Sequence, residues 1–356
     1  MSAPDAVSVD ASARGGRSER LRILIVAALG LALAAYLLGH IGFRAVLAAA
    51  TSVGWSGFAL LCAWAFVVFA LLAPAWYVLQ PRASHPRLAV FIAARMVRDA
   101  VSEALPFSQV GGMILGVRAA SVLGVPTRLA VGSMIVDVTT ELLGQIAYVA
   151  LGLVILSARA ADNPLAHALV RSFLIGLSLV TLGGLGFLTL QHRSMGWVSG
   201  KLAARLLPAS AAYTAPLAAT LREIYRSPMR VVLSVMVHFC AWTAAGVGTW
   251  VAFRLIGVHM DVASGIAIDS LVYGVRSLAF FVPNALGVQE AAYALLAPLV
   301  GVGKEYALAV SLLRRARDIA IGIPIVLVWQ LVESRRALAR RTRGGAAADP
   351  LDLGES

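Results

Sequence analysis

The stretch R-S-L-A-F-F-V-P-N-A-L-G-V-Q-E at residues 276–290, followed after a run of small and apolar residues by L-L-R-R-A-R-D at 312–318, decides how the chain is read. Arg276, Glu290, Arg314, Arg315, Arg317 and Asp318 lie there in segments otherwise apolar enough for a bilayer. Each such charge costs about 2.5–3.5 kcal/mol at a helix centre facing lipid. Charge retained at that cost faces other charge or water, and a site is the first expectation.

The rest of the composition agrees. Of 356 residues, 60% are hydrophobic and 13% charged, whereas a soluble domain carries about 25% charged residues. A polytopic membrane protein is the class that fits. The net charge of +12 rests on arginine, because Lys201 and Lys304 are the only lysines. No basic groove interleaved with aromatic residues accompanies it, so the basic loops are expected to meet anionic lipid and not nucleic acid. Cys62 and Cys240 stand singly in apolar runs, without metal spacing, and read as packed thiols.

Working outward, residues 1–20 read as a disordered cytoplasmic tail, and 21–40 as an uncleaved first span. Further spans are expected over 53–80, 126–157, 165–191, 228–257 and 306–332, with Trp55 and Trp76 at the interfaces. Residues 192–227 read as a basic connection with two amphipathic pieces on the membrane surface. Two stretches differ: 88–123 and 263–300 each hold two short charged or polar segments, meeting at Pro106 and Pro283. The Gly111–Gly112 pair is expected to interrupt the first, and Gly287 to serve as a loop hinge in the second. The expected fold is therefore all-α: about six full transmembrane helices plus two re-entrant half-helix hairpins. One membrane domain covers 21–332, with charged units at 88–157 and 263–332, and 333–356 is a tail that is first basic and then acidic.

Arginine and lysine concentrate in both tails, the 81–87 loop and the 192–230 connection, which puts both termini in the cytoplasm. Arg44, Arg159, Arg254 and Lys304 are the basic residues of the intervening loops. Ten complete crossings satisfy this bias as well as six. The first hairpin then enters from the cytoplasm and the second from outside, the arrangement of an inverted repeat. An offset of 177 residues supports it, placing Pro106 on Pro283, Gly124 on Gly301, Glu141 on Asp318 and Asp137 on Arg314.

Within the apolar segments the positive groups are Arg95, Arg98, Arg118, Arg276, Arg314, Arg315 and Arg317. The negative groups are Asp99, Glu103, Asp137, Glu141, Asp269, Glu290 and Asp318, so the two sets balance. Arg95, Asp99 and Glu103 share a helix face at spacings of four. Arg95, Arg118, Arg315 and Asp269 read equally well as interfacial groups that snorkel, while Asp137, Glu141, Arg314 and Asp318 sit centrally in long spans. His238 reads as a core histidine. The candidate cavity set is Arg98, Asp99, Glu103, Asp137, Glu141, Arg276, Glu290, Arg314, Arg317 and Asp318. No H-E-x-x-H or G-x-S-x-G motif occurs, and no enzyme activity, cofactor or metal is expected.

The segments P-F-S-Q-V-G-G (106–112), M-I-V-D-V-T-T-E (134–141), R-S-L-A-F-F-V-P-N-A-L-G-V-Q-E (276–290) and S-L-L-R-R-A-R-D (311–318) resemble the flippase-like membrane family. That family includes the lipid-flipping domain of lysylphosphatidylglycerol synthases and the hopanoid-biosynthesis-associated membrane proteins, and the V-P-x-x-L-G-V-Q-E segment is most similar to the latter. Many members carry two glycines after the proline where this chain has Asn284 and Ala285. No soluble aminoacyl-transferase domain follows residue 332, so the resemblance implies no synthase activity. It implies a flippase of the bacterial inner membrane whose partners are membrane lipids and lipid-biosynthesis enzymes. Half-helix N-termini after Pro106 and Pro283, with the arginines, are expected to hold an anionic or polar headgroup. A membrane scaffold for a lipid-biosynthesis enzyme, or an ion or small-solute transporter, would share the same charge pattern.

Overall fold

The computed structural model describes residue 48 and residues 51–81, 86–104, 108–159, 163–197, 211–279, 285 and 287–346. The expected first span at 21–40, the N-terminal tail, residues 347–356, Pro106 and Pro283 lie outside these, whereas residues 333–346 of the expected C-terminal tail continue the last helix. Among the described residues the fold is all-helical, with no strand.

In order, the helices are α1 (Gly54–Val78), α2 (Leu88–Ala104), α3 (Ser108–Val122), α4 (Thr127–Arg159), α5 (Pro164–Trp197), α6 (Ala211–Tyr225), α7 (Pro228–Leu255), α8 (Val262–Leu278), α9 (Val288–Leu296) and α10 (Lys304–Ala346). A 3-10 turn, Ala297–Val300, extends α9. Among the described residues four helices are long and apolar enough to cross a membrane: α1, α4, α7 and the Pro164–Gly186 part of α5. The span expected over 306–332 is part of one 43-residue helix. Its first turns carry Arg314, Arg315, Arg317 and Asp318, so it does not read as a uniformly apolar crossing. At 17 residues, α2 and α8 are about 26 Å long, short of the roughly 30 Å hydrocarbon core.

Local chemistry sets these boundaries. Pro228 opens α7, where its missing N–H costs nothing. Asp261 caps α8 by accepting from the Ser264 N–H at 3.0 Å. Gly124 and Gly301 close the second helix of each hairpin with φ of +107° and +81°, angles a Cβ would disfavour. The two closures match under the shift that carries Gly124 to Gly301: Gly124 N–H donates to Ser121 O as Gly301 N–H donates to Pro298 O. Val125 donates to Ala120 as Val302 does to Ala297, and Ala130 to Pro126 as Ala307 does to Gly303. The same shift lays α4 on the start of α10.

Packing crosses between the units. Helix α4 of the first unit packs on α8 of the second, and α10 of the second packs on α2 of the first; α1 packs on α7. One apolar cluster joins Leu153, Phe253, Ile268, Leu271, Tyr293 and Leu313; another joins Trp76, Phe91, Ala94, Ala119 and Met134. Helix α5 is inside-out, with Leu174, Ile175, Leu179 and Leu182 each about half to two thirds exposed, as suits a lipid-facing helix.

Several expectations are corrected. Gly111 and Gly112 do not interrupt the hairpin but lie within α3. Gly112 has a packing role: a Cβ there would stand 2.5 Å from the Arg98 carbonyl oxygen, so the glycine lets α3 seat on α2. Trp76 is not interfacial but fully buried, donating to Ser133 Oγ at 2.9 Å. Helix α6 is amphipathic as expected, with Leu221 and Ile224 turned inward against Leu79 and Val136 and Arg222 and Glu223 exposed. Cys240 is exposed.

Gly265 tests the α7–α8 contact, because a Cβ there would stand 2.6 Å from Trp250 Cβ. Gly265→Ala should lower unfolding stability in detergent by roughly 1–3 kcal/mol. Gly176→Ala, which meets open space on α5, should instead stabilise by up to about 1 kcal/mol. Equal effects from both would contradict the packing described.

Candidate functional site

The charges converge in two buried groups flanking one cavity. In the first group, α2 presents Arg95 and Arg98 one turn apart, and α4 presents Asp137 and Glu141 one turn apart. Arg95 donates to Asp137 at 3.3 Å, to Glu141 at 2.6 Å and to Asp99 at 2.7 Å. Arg98 donates to the same Asp137 oxygen at 2.9 Å and to the second Glu141 oxygen at 2.6 Å. Two guanidiniums and two carboxylates thus form a closed box. His238 of α7 lies 3.1 Å from the remaining Asp137 oxygen and is fully buried.

The second group centres on Asp269 of α8 and Arg314 of α10, which form a direct ion pair. Asp269 also accepts from Tyr148 at 2.8 Å and Thr249 at 2.7 Å, and Arg314 donates to Tyr293 at 2.8 Å. Tyr148, Thr249 and Tyr293 carry no charge, and the charge inventory passed over them. Their helical placement beside Asp269 and Arg314 is not visible from spacing alone. Arg95 and Asp269 are buried in these networks and Arg315 is buried against Glu290, so none of the three snorkels. Arg118 does lie outside, half exposed and paired with Glu333.

Between the groups lies a cavity of about 400 Å³. Its wall comes from α1, α2, α4, α7, α8 and α10, and includes Arg98, Asp99, Glu103, Glu141, Arg276, Arg314, Arg317 and Asp318 of the expected set. Arg95 joins them, with Trp64, Tyr273 and Trp242 as aromatic neighbours. Asp137 and Glu290 do not line it. Asp137 stands behind the arginines and holds them. Glu290 serves a different place: it accepts from Arg315 at 3.0 Å and from the Gly287 N–H at 2.9 Å, closing the start of α9. Gln289 completes that anchor by donating to Ser311 at 2.9 Å.

This arrangement alters one expectation. The N–H of Gly287 at the start of α9 is answered by the chain's own Glu290, and Ala285, just ahead of that helix, belongs to the cavity wall. Among the described residues of the wall, the cationic side chains are all arginines. Asp137, Glu141 and His238 each offer an atom within 4.8 Å of the others, a spacing that could hold a metal. The carboxylates there are already bridged by Arg95 and Arg98, which an ion would have to displace.

Ala285 explains the residue difference noted in the sequence. It adopts φ +45°, the left-handed region, and its carbonyl accepts from Arg315 at 3.2 Å. A glycine takes that conformation freely, while an alanine pays about 1–2 kcal/mol. Ala285→Gly should therefore raise unfolding stability by about 1 kcal/mol. Asp137→Asn should act oppositely and more strongly. Removing one partner from a buried ionic network costs roughly 3–5 kcal/mol, which would be read as a large drop in melting temperature in detergent. An unchanged melting temperature would mean the box does not hold α2 to α4.

No curated protein and no solved structure matches the chain. The family described as the lysylphosphatidylglycerol synthase TM region matches residues 21–325, nearly the whole membrane domain. With its long apolar helices, the chain is a multi-pass membrane protein linked to lipid metabolism or transport, and it belongs to the lysylphosphatidylglycerol synthase TM region family.

Proposed function

We propose that the chain is a lipid flippase that moves a polar headgroup across the bacterial inner membrane through the charged cavity. The observation that carries this reading is the cavity itself: about 400 Å³, lined by five arginines and four carboxylates, in the middle of an apolar bundle. Pockets for drug-sized molecules run about 300–1,000 Å³, so the volume suits a headgroup and leaves two acyl chains outside. Helix α1 separates the cavity from the periphery, turning Val68, Phe69 and Leu72 inward and Phe66, Val67 and Leu71 outward. Acyl chains would travel along that helix while the headgroup crosses inside.

In this reading the two units are an inverted repeat, supported by the matched closures at Gly124 and Gly301 and the crossed α4–α8 and α10–α2 packing. The hairpins enter from opposite sides, both termini are cytoplasmic, and the chain performs no chemical conversion. The cargo is an anionic phospholipid or a hopanoid-related lipid, the latter on the resemblance of residues 282–290. Its partners are membrane lipids and the enzymes that make them.

The test is headgroup translocation by the full chain in phosphatidylcholine vesicles carrying a trace of fluorescently labelled phosphatidylglycerol. The labelled lipid should exchange leaflets faster than in protein-free vesicles. Arg276→Gln should slow that exchange about tenfold or more, the loss of one charge-assisted hydrogen bond, without reducing insertion. Unchanged lipid sidedness with the wild-type chain would favour a scaffold and overturn the proposal.

A further inference from the structure

Arg276 is held differently from the other cavity arginines. Arg95 contacts three carboxylates, Arg98 shares two of them, and Arg314 is enclosed by Asp269, Thr249 and Tyr293. Arg276 instead reaches Glu103 through one nitrogen, Nη2, at 2.8 and 3.0 Å to the two carboxylate oxygens. The Glu103 side chain is 34% exposed against 12% for Arg276, so the carboxylate is the more accessible partner. Partly exposed bridges of this kind are weak. This one also spans the units, from α2 to α8. The comparable pair, Arg317 with Asp318, joins chain neighbours, so its rupture would release no helix from another.

Two buried donors of the same wall have no acceptor among the described residues: Trp242 Nε1 and Arg314 Nε. The Trp242 ring lies 4.4 Å from Tyr273, and the Arg276 guanidinium lies 5.4 Å above that same tyrosine. Unanswered buried donors are costly. A ligand that answers them must bring acceptors, and anionic oxygens are the strongest available. The carboxylate it would compete with is the most exposed of those in the cavity wall.

We propose that the Glu103–Arg276 bridge is a latch between the two units, opened when an anionic headgroup takes the place of Glu103 on Arg276 and offers its remaining oxygens to Trp242 and Arg314. The proposal rests on the headgroup-binding reading above and adds the charge class that is admitted. A neutral headgroup cannot replace the carboxylate on Arg276 and leaves the units joined. An anion exchanges one charged partner for another and frees α2 from α8 across the cavity while the α4–α8 and α10–α2 packing holds, so binding and release of this bridge are linked.

The experiment titrates the full chain in detergent with dihexanoylphosphatidylglycerol, which bears one negative charge, and with zwitterionic dihexanoylphosphatidylcholine, by calorimetry. The wild-type chain should bind the glycerol lipid more tightly. Glu103→Gln and Glu103→Ala, which remove the internal competitor, should tighten that binding about five- to tenfold, whereas Arg276→Gln should weaken it at least tenfold. A bridge that only supports the fold predicts weaker binding from both sides of the pair, and that result overturns the latch. Hydrogen exchange on the wild-type chain gives an arm that needs no variant. Amides at 97–104 and 270–279 should exchange faster with the anionic lipid and not with the zwitterionic one, and equal rates overturn the latch. Binding of the anionic lipid without tightening by the Glu103 variants sinks the latch alone. Failure of the wild-type chain to bind either lipid sinks the headgroup reading with it.

Discussion

Two arginines of α2 and two carboxylates of α4, each pair one helical turn apart, meet in a closed box. In hydrocarbon, neither helix could keep its charges alone, since each would cost several kcal/mol. Together they are satisfied on every bridging oxygen, and that mutual need sets the rotation of α2 against α4. Asp137 is the pivot: it contacts both guanidiniums and, on its other oxygen, His238 of α7. A third helix is thus drawn into the same network. The Asp269–Arg314 pair plays the corresponding part between α8 and α10, with hydroxyls from α4, α7 and α9 around it.

With the networks so placed, the cavity has a physical cause. Crossed packing brings α2 and α4 of one unit against α10 and α8 of the other, and the charged faces that satisfy the boxes continue into the space between. Arginines anchored from behind by Asp137 and Asp269 stand in the cavity wall. Anchoring matters because a guanidinium held by a second carboxylate is pre-oriented and loses little freedom on meeting an anion.

Much of this was legible from residue types and spacing. Asp137 and Glu141, four apart in an apolar run, could only be buried if answered by cations, although which arginines answer them was not legible and Arg95 stood outside the expected cavity set. The short charged segments around residues 106 and 283 stood out from the long apolar spans for the same energetic reason. Direction was not legible. A helix-face argument could not say that Glu290 turns towards Arg315 and away from the cavity, because both carry suitable partners within reach. Nor could it separate a glycine that breaks a helix from one that lets two helices touch, which is why Gly112 was misread. Hydroxyl partners such as Thr249 and Tyr293 leave no trace in a charge inventory. The exception at residue 285 was visible as a missing glycine before its left-handed backbone was seen.

The separation along the chain of these buried partners bears on how the protein is made. Arg98 lies 39 residues before Asp137, Arg95 lies 46 before Glu141, and Asp269 lies 45 before Arg314. Each strongly buried charge is therefore neutralised inside its own half, within a few tens of residues of its synthesis. A nascent chain need not hold exposed ions in the membrane while awaiting the other half. The Glu103–Arg276 contact, by contrast, spans 173 residues, and it forms only when both halves have been inserted and come together. Glu103 and Arg276 apart, the halves are thus prepared as separately balanced packages, and the contact of those two across the cavity comes late in biogenesis.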